Sequence, residues 1–150
     1  MFDIIRCNAD ASKFGFEKFY FFNEVKGMIL ELENLEAAVQ YKNKKSLVLL
    51  RDYAFDEGAI RLIAEKKTLC FLVDLGRLIR SKGVSRAVAI SKLRNFLKFC
   101  VKYGALYAFV TFAEDEMQIR TSEELEHLIL LFDLNRGQAK FALKMLKHYL

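Results

Sequence analysis

The sequence predicts an α/β fold in which about six strands alternate with helices. Three observations predict it. Six short apolar runs punctuate the chain. Those from residue 47 onward are nearly continuous instead of alternating, as expected of strands covered on both faces. Amphipathic stretches with helix-start signals fall between and after them. Strands joined by right-handed helical crossovers then build either an open doubly wound sheet or a barrel.

The strand-like runs are residues 2 to 7, 18 to 23, 28 to 32, 47 to 51, 68 to 73 (Thr-Leu-Cys-Phe-Leu-Val) and 106 to 112 (Leu-Tyr-Ala-Phe-Val-Thr-Phe). Among the helices, Asn34 is placed to cap one reaching about Lys42, and Asp56 one ending near Lys67. Residues 85 to 103 form the clearest helix, with Ala89, Leu93, Phe96, Leu97 and Cys100 on one stripe and Gly104 as its stop. Thr121 with Glu124, and Asn135 with Gln138, have capping-box spacing for two last helices. Leu125, Leu128, Ile129 and Phe132 give the first of these its buried face.

With 150 residues, 53% of them apolar, the chain can bury one sizeable core, and two large domains are excluded. No linker, internal repeat or low-complexity segment divides it, so residues 1 to 150 read as a single domain. No uncharged apolar run is long enough to span a bilayer, and the first residues lack the order of a signal peptide. The expectation is a soluble, cytoplasmic protein without a membrane partner. Cys7, Cys70 and Cys100 are odd in number and far apart, and read as reduced core thiols.

Charge is distributed unevenly. Residues 1 to 74 carry 11 basic against 12 acidic side chains, and residues 114 to 150 carry 5 against 7. The 39 residues between them hold 8 basic side chains and no acid: Arg77, Arg80, Lys82, Arg86, Lys92, Arg94, Lys98 and Lys102. At 100° per residue, Arg94, Lys98 and Lys102 fall on one stripe opposite the apolar one, while Arg77, Arg80, Lys82 and Arg86 crowd the turn before the helix. A merely solvated helix face would interleave both signs to gain i,i+4 pairs. An acid-free basic surface is instead the footprint of a polyanion partner. A membrane-surface role would need an exposed Leu/Phe face, and those residues are committed to the core.

Enzyme chemistry has weaker support. Strand ends offer Arg51, Asp52, Asp74, Thr111 and Glu114. Asp52, Asp74 and Glu114 would serve a metal-dependent phosphoesterase if they converged. Helix capping, or pairing with Arg51, is the simpler role for the two aspartates. His127 and His148 lie away from strand ends, and no GxGxxG, P-loop or GxSxG motif occurs. No cofactor is expected. Arg120, just before the Thr121 cap, is placed to join backbone N–H groups in gripping a phosphate. A further alternative is a scaffold whose basic helix meets an acidic protein.

Several of these residues form a pattern. The stretch from Ile63 through Asp74-Leu75 and Leu78-Ile79-Arg80 to Gly83, then Ser85-Arg86 through Leu93-Arg94 and Lys98 to Lys102-Tyr103-Gly104, resembles the archaeal ribonuclease P protein component 3 family. This is the barrel subunit whose eukaryotic counterpart serves both ribonuclease P and MRP. Thr111-Phe112-Ala113, Arg120-Thr-Ser-Glu-Glu-Leu125 and the closing segment from Leu134 to Leu150 are similar to later family motifs. The likeness spans residues 46 to 150. Phe112 stands where the family has glycine, the family's prolines are absent, and the chain falls well short of a full barrel of about 250 residues.

The resemblance implies a reduced or partly open TIM-barrel-like βα domain, with residues 48 to 60 serving where the family has more strands. It also implies an RNA-binding subunit of ribonuclease P, which removes 5′ leaders from precursor tRNA at a catalytic RNA. The isolated chain is then expected to be non-catalytic. Its partners would be ribonuclease P RNA, precursor tRNA and other protein subunits in a hetero-oligomer. The expected RNA contacts are Arg77, Arg80, Lys82, Arg86, Arg94, Lys98, Lys102 and, carried over from the family, Arg120.

Overall fold

A computed structural model describes residues 1–150. Six strands form: β1 (Phe2–Ile5), β2 (Lys18–Phe21), β3 (Ile29–Leu32), β4 (Ser46–Leu50), β5 (Leu69–Asp74) and β6 (Leu106–Val110). The helices are α1 (Phe22–Val25), α2 (Leu35–Val39), α3 (Glu57–Lys66), α4 (Leu75–Arg80), α5 (Gly83–Tyr103), α6 (Ser122–Ile129) and α7 (Arg136–Lys144). Short 3₁₀ turns lie at 11–14, 26–28, 116–118, 130–132 and 145–148.

All strand pairs are parallel, in the orders β3-β4-β5-β6 and β1-β2. The two sheets meet where β6 runs on into Thr111–Ala113. There the Phe112 N–H donates to the Ile4 carbonyl at 2.9 Å and the Arg6 N–H to the Ala113 carbonyl at 2.8 Å. The strands thus follow one another around a barrel, which stays open between β2 and β3. The opening therefore lies away from residues 48 to 60, the segment read as serving where the family has more strands. β4, α3 and β5 form a complete βα unit with adjacent paired strands.

Two apolar layers hold the arrangement. Inside the strands, Phe2, Ile4, Leu47, Cys70, Leu72, Ala108, Val110 and Phe112 pack with Met145 and Leu146 of the last turn. Outside, Ile5, Val48, Phe71, Val73 and Phe109 meet the helices. Each strand from β4 to β6 therefore buries alternate side chains on opposite sides, which explains their continuous apolar runs. Cys70 and Cys100 are buried, and burial pushes both thiols above their ordinary range, whereas Cys7 is only partly buried at the edge of the core because it follows the end of β1.

Asn34, Asp56, Thr121 and Asn135 cap α2, α3, α6 and α7, the last two through reciprocal capping boxes. The segment after Asp74 is a helix, where a turn was expected. The Asp74 carboxylate accepts the Arg77 N–H at 3.0 Å to start α4, and α4 crosses the end of β6 closely enough that only glycine fits at position 76. Asp52 is not a helix cap. It accepts the Ala54 N–H at 3.1 Å in a side-chain turn. No helix is long and apolar enough to cross a membrane.

Candidate nucleic-acid interface

The basic residues of the acid-free stretch lie on two connected surfaces. The first is a tip. Ser81 ends α4, and Gly83, at φ +56°, turns the chain into α5. Every residue from Lys82 to Val88 is exposed, so the first turns of α5 project past the core. Arg86 steadies this projection by donating to the Ile79 carbonyl of α4 at 3.0 Å. Arg77 reaches the Arg51 carbonyl at 3.3 Å. Arg80 reaches Gln118 at 3.4 Å and stands 3.9 Å from Asp74. The Lys82 side chain makes no hydrogen bond or ion pair.

Arg120 belongs near this tip through the same 116–118 turn, but it folds back to donate to the carbonyls of Met117 at 3.0 Å and Ile119 at 3.3 Å. The capping box of Thr121 and Glu124 already occupies N–H groups at the α6 start. Arg120 therefore does not aim into a free helix N-terminus.

The second surface is the flank of α5. Leu93, Phe96, Leu97 and Cys100 are buried, while Ala89, nearer the projecting tip, is only half-buried because the helix has not yet reached the core there. Arg94, Lys98 and Lys102 are exposed. Arg86 and Lys102 are separated by sixteen positions, roughly 24 Å along the axis. Only Lys98 of the flank is unpaired. Arg94 meets Asp133 at 3.1 Å and donates to the Leu131 carbonyl at 2.8 Å, and Lys102 meets Glu57 at 2.9 Å. Lys92, on another face, meets Asp52 at 3.1 Å. A stretch without acids in sequence thus collects carboxylates from α3, the β4–α3 loop and the turn after α6. Hydrogen bonds from Tyr103 and then Lys102 hold the Glu57 carboxyl below its ordinary range. Such exposed pairs are weak and screened by salt, so a phosphate can take the carboxylate's place.

Between tip and flank a cavity of about 320 Å³ opens at the carboxyl ends of β4 and β5, lined by Arg51, Asp52, Asp74, Arg77, Ser81 and Lys92 among others. Its charges are of both signs. Burial holds the Asp74 carboxyl above its ordinary range despite its hydrogen bonds and the nearby arginines. Asp52, Asp74 and Glu114 do not converge: the first pairs with Lys92, the second caps α4, and the third lies exposed beyond β6. No group of three His, Cys, Asp or Glu side chains is arranged to hold a metal ion. Arg51, offered by the sequence at a strand end, and Lys92, one of the eight cations of the acid-free stretch, both enter this mouth. Arg51 directly follows a strand, which was the available signal.

The architecture is that of a partly open parallel βα barrel with a cation-bearing helix across one side. No family model matches the chain, and no curated protein matches it. A solved structure shares the fold: a chain from the cryo-EM structure of archaeal ribonuclease P with mature tRNA is similar with a TM-score of 0.65 at 18% identity. The likeness covers 93% of this chain and 75% of that chain, so it reaches into the residues before 46.

Proposed function

We propose that this chain is a single-domain, RNA-binding protein subunit of an archaeal-type ribonuclease P, acting in the cytoplasm to help the catalytic RNA remove 5′ leaders from precursor tRNA. One observation carries the reading: a fold shared over almost the whole chain with a component of a ribonuclease P particle that holds tRNA. The exposed cations are consistent with it. In this role the protein supplies no general base. Arg77, Arg80, Lys82 and Arg86 at the tip, Arg94, Lys98 and Lys102 on the flank, and Arg120 beside the 116–118 turn neutralise RNA phosphates. The released counterions favour association and the folded catalytic RNA. The open edges of β2 and β3 offer backbone donors and acceptors to another protein subunit, giving a hetero-oligomer.

The test is to recover the tagged full chain from its native cells and sequence the RNA that accompanies it. Ribonuclease P RNA is the expected species. Recovery of an acidic protein with no RNA would overturn the reading in favour of a protein-binding scaffold. Hydrolysis of a phosphodiester by the purified chain with Mg²⁺, abolished by Asp74→Ala, would overturn it in favour of an enzyme.

A further inference from the structure

A second group of cations outside ion-pair distance of any carboxylate lies elsewhere. In a parallel barrel every strand begins at the same pole, and here the segments that lead into the strands are rich in lysine. Lys42, Lys44 and Lys45 precede β4, and Lys66 and Lys67 precede β5. They meet through the strand starts: the Thr68 hydroxyl donates to the Lys42 carbonyl, and the Ser46 N–H donates to the Thr68 carbonyl at 3.3 Å.

The closing segment adds to them. The Tyr149 hydroxyl also donates to the Thr68 carbonyl, at 3.0 Å, and the Lys45 ammonium stands 5.1 Å over the Tyr149 ring. This brings Lys147 to the same pole. Lys18, the first residue of β2, is exposed there too.

None of these lysines has a carboxylate within ion-pair distance, in contrast to Lys92, Arg94 and Lys102. Glu17, the carboxylate just ahead of β2, is engaged by the amino terminus. Asp52, Asp56, Asp74 and Glu114 follow strands and so lie at the opposite pole, while the exposed Glu65 stands next to Lys66 at the end of α3 without pairing with it. Helix-dipole stabilisation accounts for Lys66, in the last turn of α3. Lys147 likewise sits in the last turn of the 145–148 3₁₀ segment, but no helix end accounts for Lys44, Lys45 or Lys18. Beside Lys44 and Lys45 a cavity of about 340 Å³ is lined also by Met28, Ser46 and Tyr149, and Met28 is 55% exposed. Cations beside an aromatic ring and an exposed apolar side chain suit a phosphodiester backbone with an unstacked base.

We propose that the pole formed by the strand starts is a second binding surface for the phosphate backbone of RNA, separate from the tip and flank of α5. It shares with the proposed function only the class of partner. The test compares four forms of the full chain: wild type, Lys44→Gln/Lys45→Gln/Lys147→Gln, the same three positions changed to Arg, and Arg86→Ala/Arg94→Ala. Each is titrated by anisotropy against a labelled tRNA transcript across a potassium chloride series, with thermal melts to show that it is folded.

The glutamine triple is expected to lower the log–log salt slope by roughly two to three units, since each lost phosphate contact removes about 0.9, and the arginine triple to retain it. An unchanged slope for the glutamine triple beside a reduced one for Arg86→Ala/Arg94→Ala would overturn the pole and leave the proposed function standing. The reverse pattern would keep the pole and discard the α5 surface. If the glutamine triple instead loses binding to a poly-glutamate peptide while keeping its RNA slope, the pole is a protein-docking surface and the inference fails.

Discussion

Asp3, on the first strand, is fully buried and accepts both the backbone N–H of Thr111 at 2.8 Å and its hydroxyl at 2.6 Å. The Ile4 N–H donates to the same carboxyl at 2.7 Å. These bonds tie β1 to the end of β6 beside the backbone bonds from Phe112 to Ile4 and from Arg6 to Ala113, at a junction where no regular ladder joins the two sheets. Loss of solvation outweighs the hydrogen bonds and pushes the carboxyl up to about 7 from 3.8.

A pH dependence follows. The folded chain keeps the Asp3 proton up to about pH 7, while the unfolded chain releases it near 3.8. The stability linked to that proton is complete below 3.8 and is lost as pH rises through 7, amounting to roughly 4 kcal/mol. Asp74 is shifted in the same direction and adds to the trend. Melting temperatures measured between these limits should fall with pH in the wild type and fall less steeply in Asp3→Asn. Parallel curves for the two proteins would show that Asp3 does not titrate in this range.

Gly76 is fixed by a close approach. A Cβ there would lie 1.8 Å from the Thr111 carbonyl oxygen, a backbone atom held by the same Asp3–Thr111 junction. Gly76→Ala must therefore push α4 off the barrel, even though alanine is the better helix former. A loss of at least about 3 kcal/mol in urea unfolding is expected, with Gly58→Ala, whose added Cβ meets nothing nearer than 3.5 Å, as the tolerated comparison.

Phe112 carries two opposed effects. Its φ of +47° is a conformation that favours glycine, yet its ring is buried and meets Phe22 edge-on at 5.5 Å. Removing the ring costs about 3 to 5 kcal/mol, whereas left-handed strain in a non-glycine residue costs about 1. Phe112→Gly should accordingly be less stable than the wild type but more stable than Phe112→Ala by about 1 kcal/mol. An alanine variant equal to or better than the glycine one would remove the strain argument.

The strands were readable from sequence because continuous apolar runs and turn residues act locally. The four caps at Asn34, Asp56, Thr121 and Asn135 were readable because capping needs only three neighbouring positions. What depends on distant contacts was hidden. α4 contains Gly76 and reads as a turn until β6 is seen beneath it. The acids facing Arg94 and Lys102 come from Asp133 and Glu57, more than thirty positions away in sequence. The lysine pole was masked because residues 1 to 74 are almost neutral: their lysines precede strands and most of their acids follow them, so only the parallel topology separates the two signs.

The pairing of Arg94 with Asp133 gives the α5 flank its own test. Asp133 sits at φ +61°, a conformation asparagine tolerates, so Asp133→Asn keeps the turn while releasing the guanidinium and removing a negative charge beside Lys98. An exposed pair of this kind is worth up to about 1 kcal/mol. Affinity for a tRNA transcript at low salt should therefore rise by up to about five-fold, and the gain should vanish as added salt screens the site. Unchanged affinity at every salt concentration would mean that RNA does not approach Arg94, and the contact surface would contract to the projecting tip.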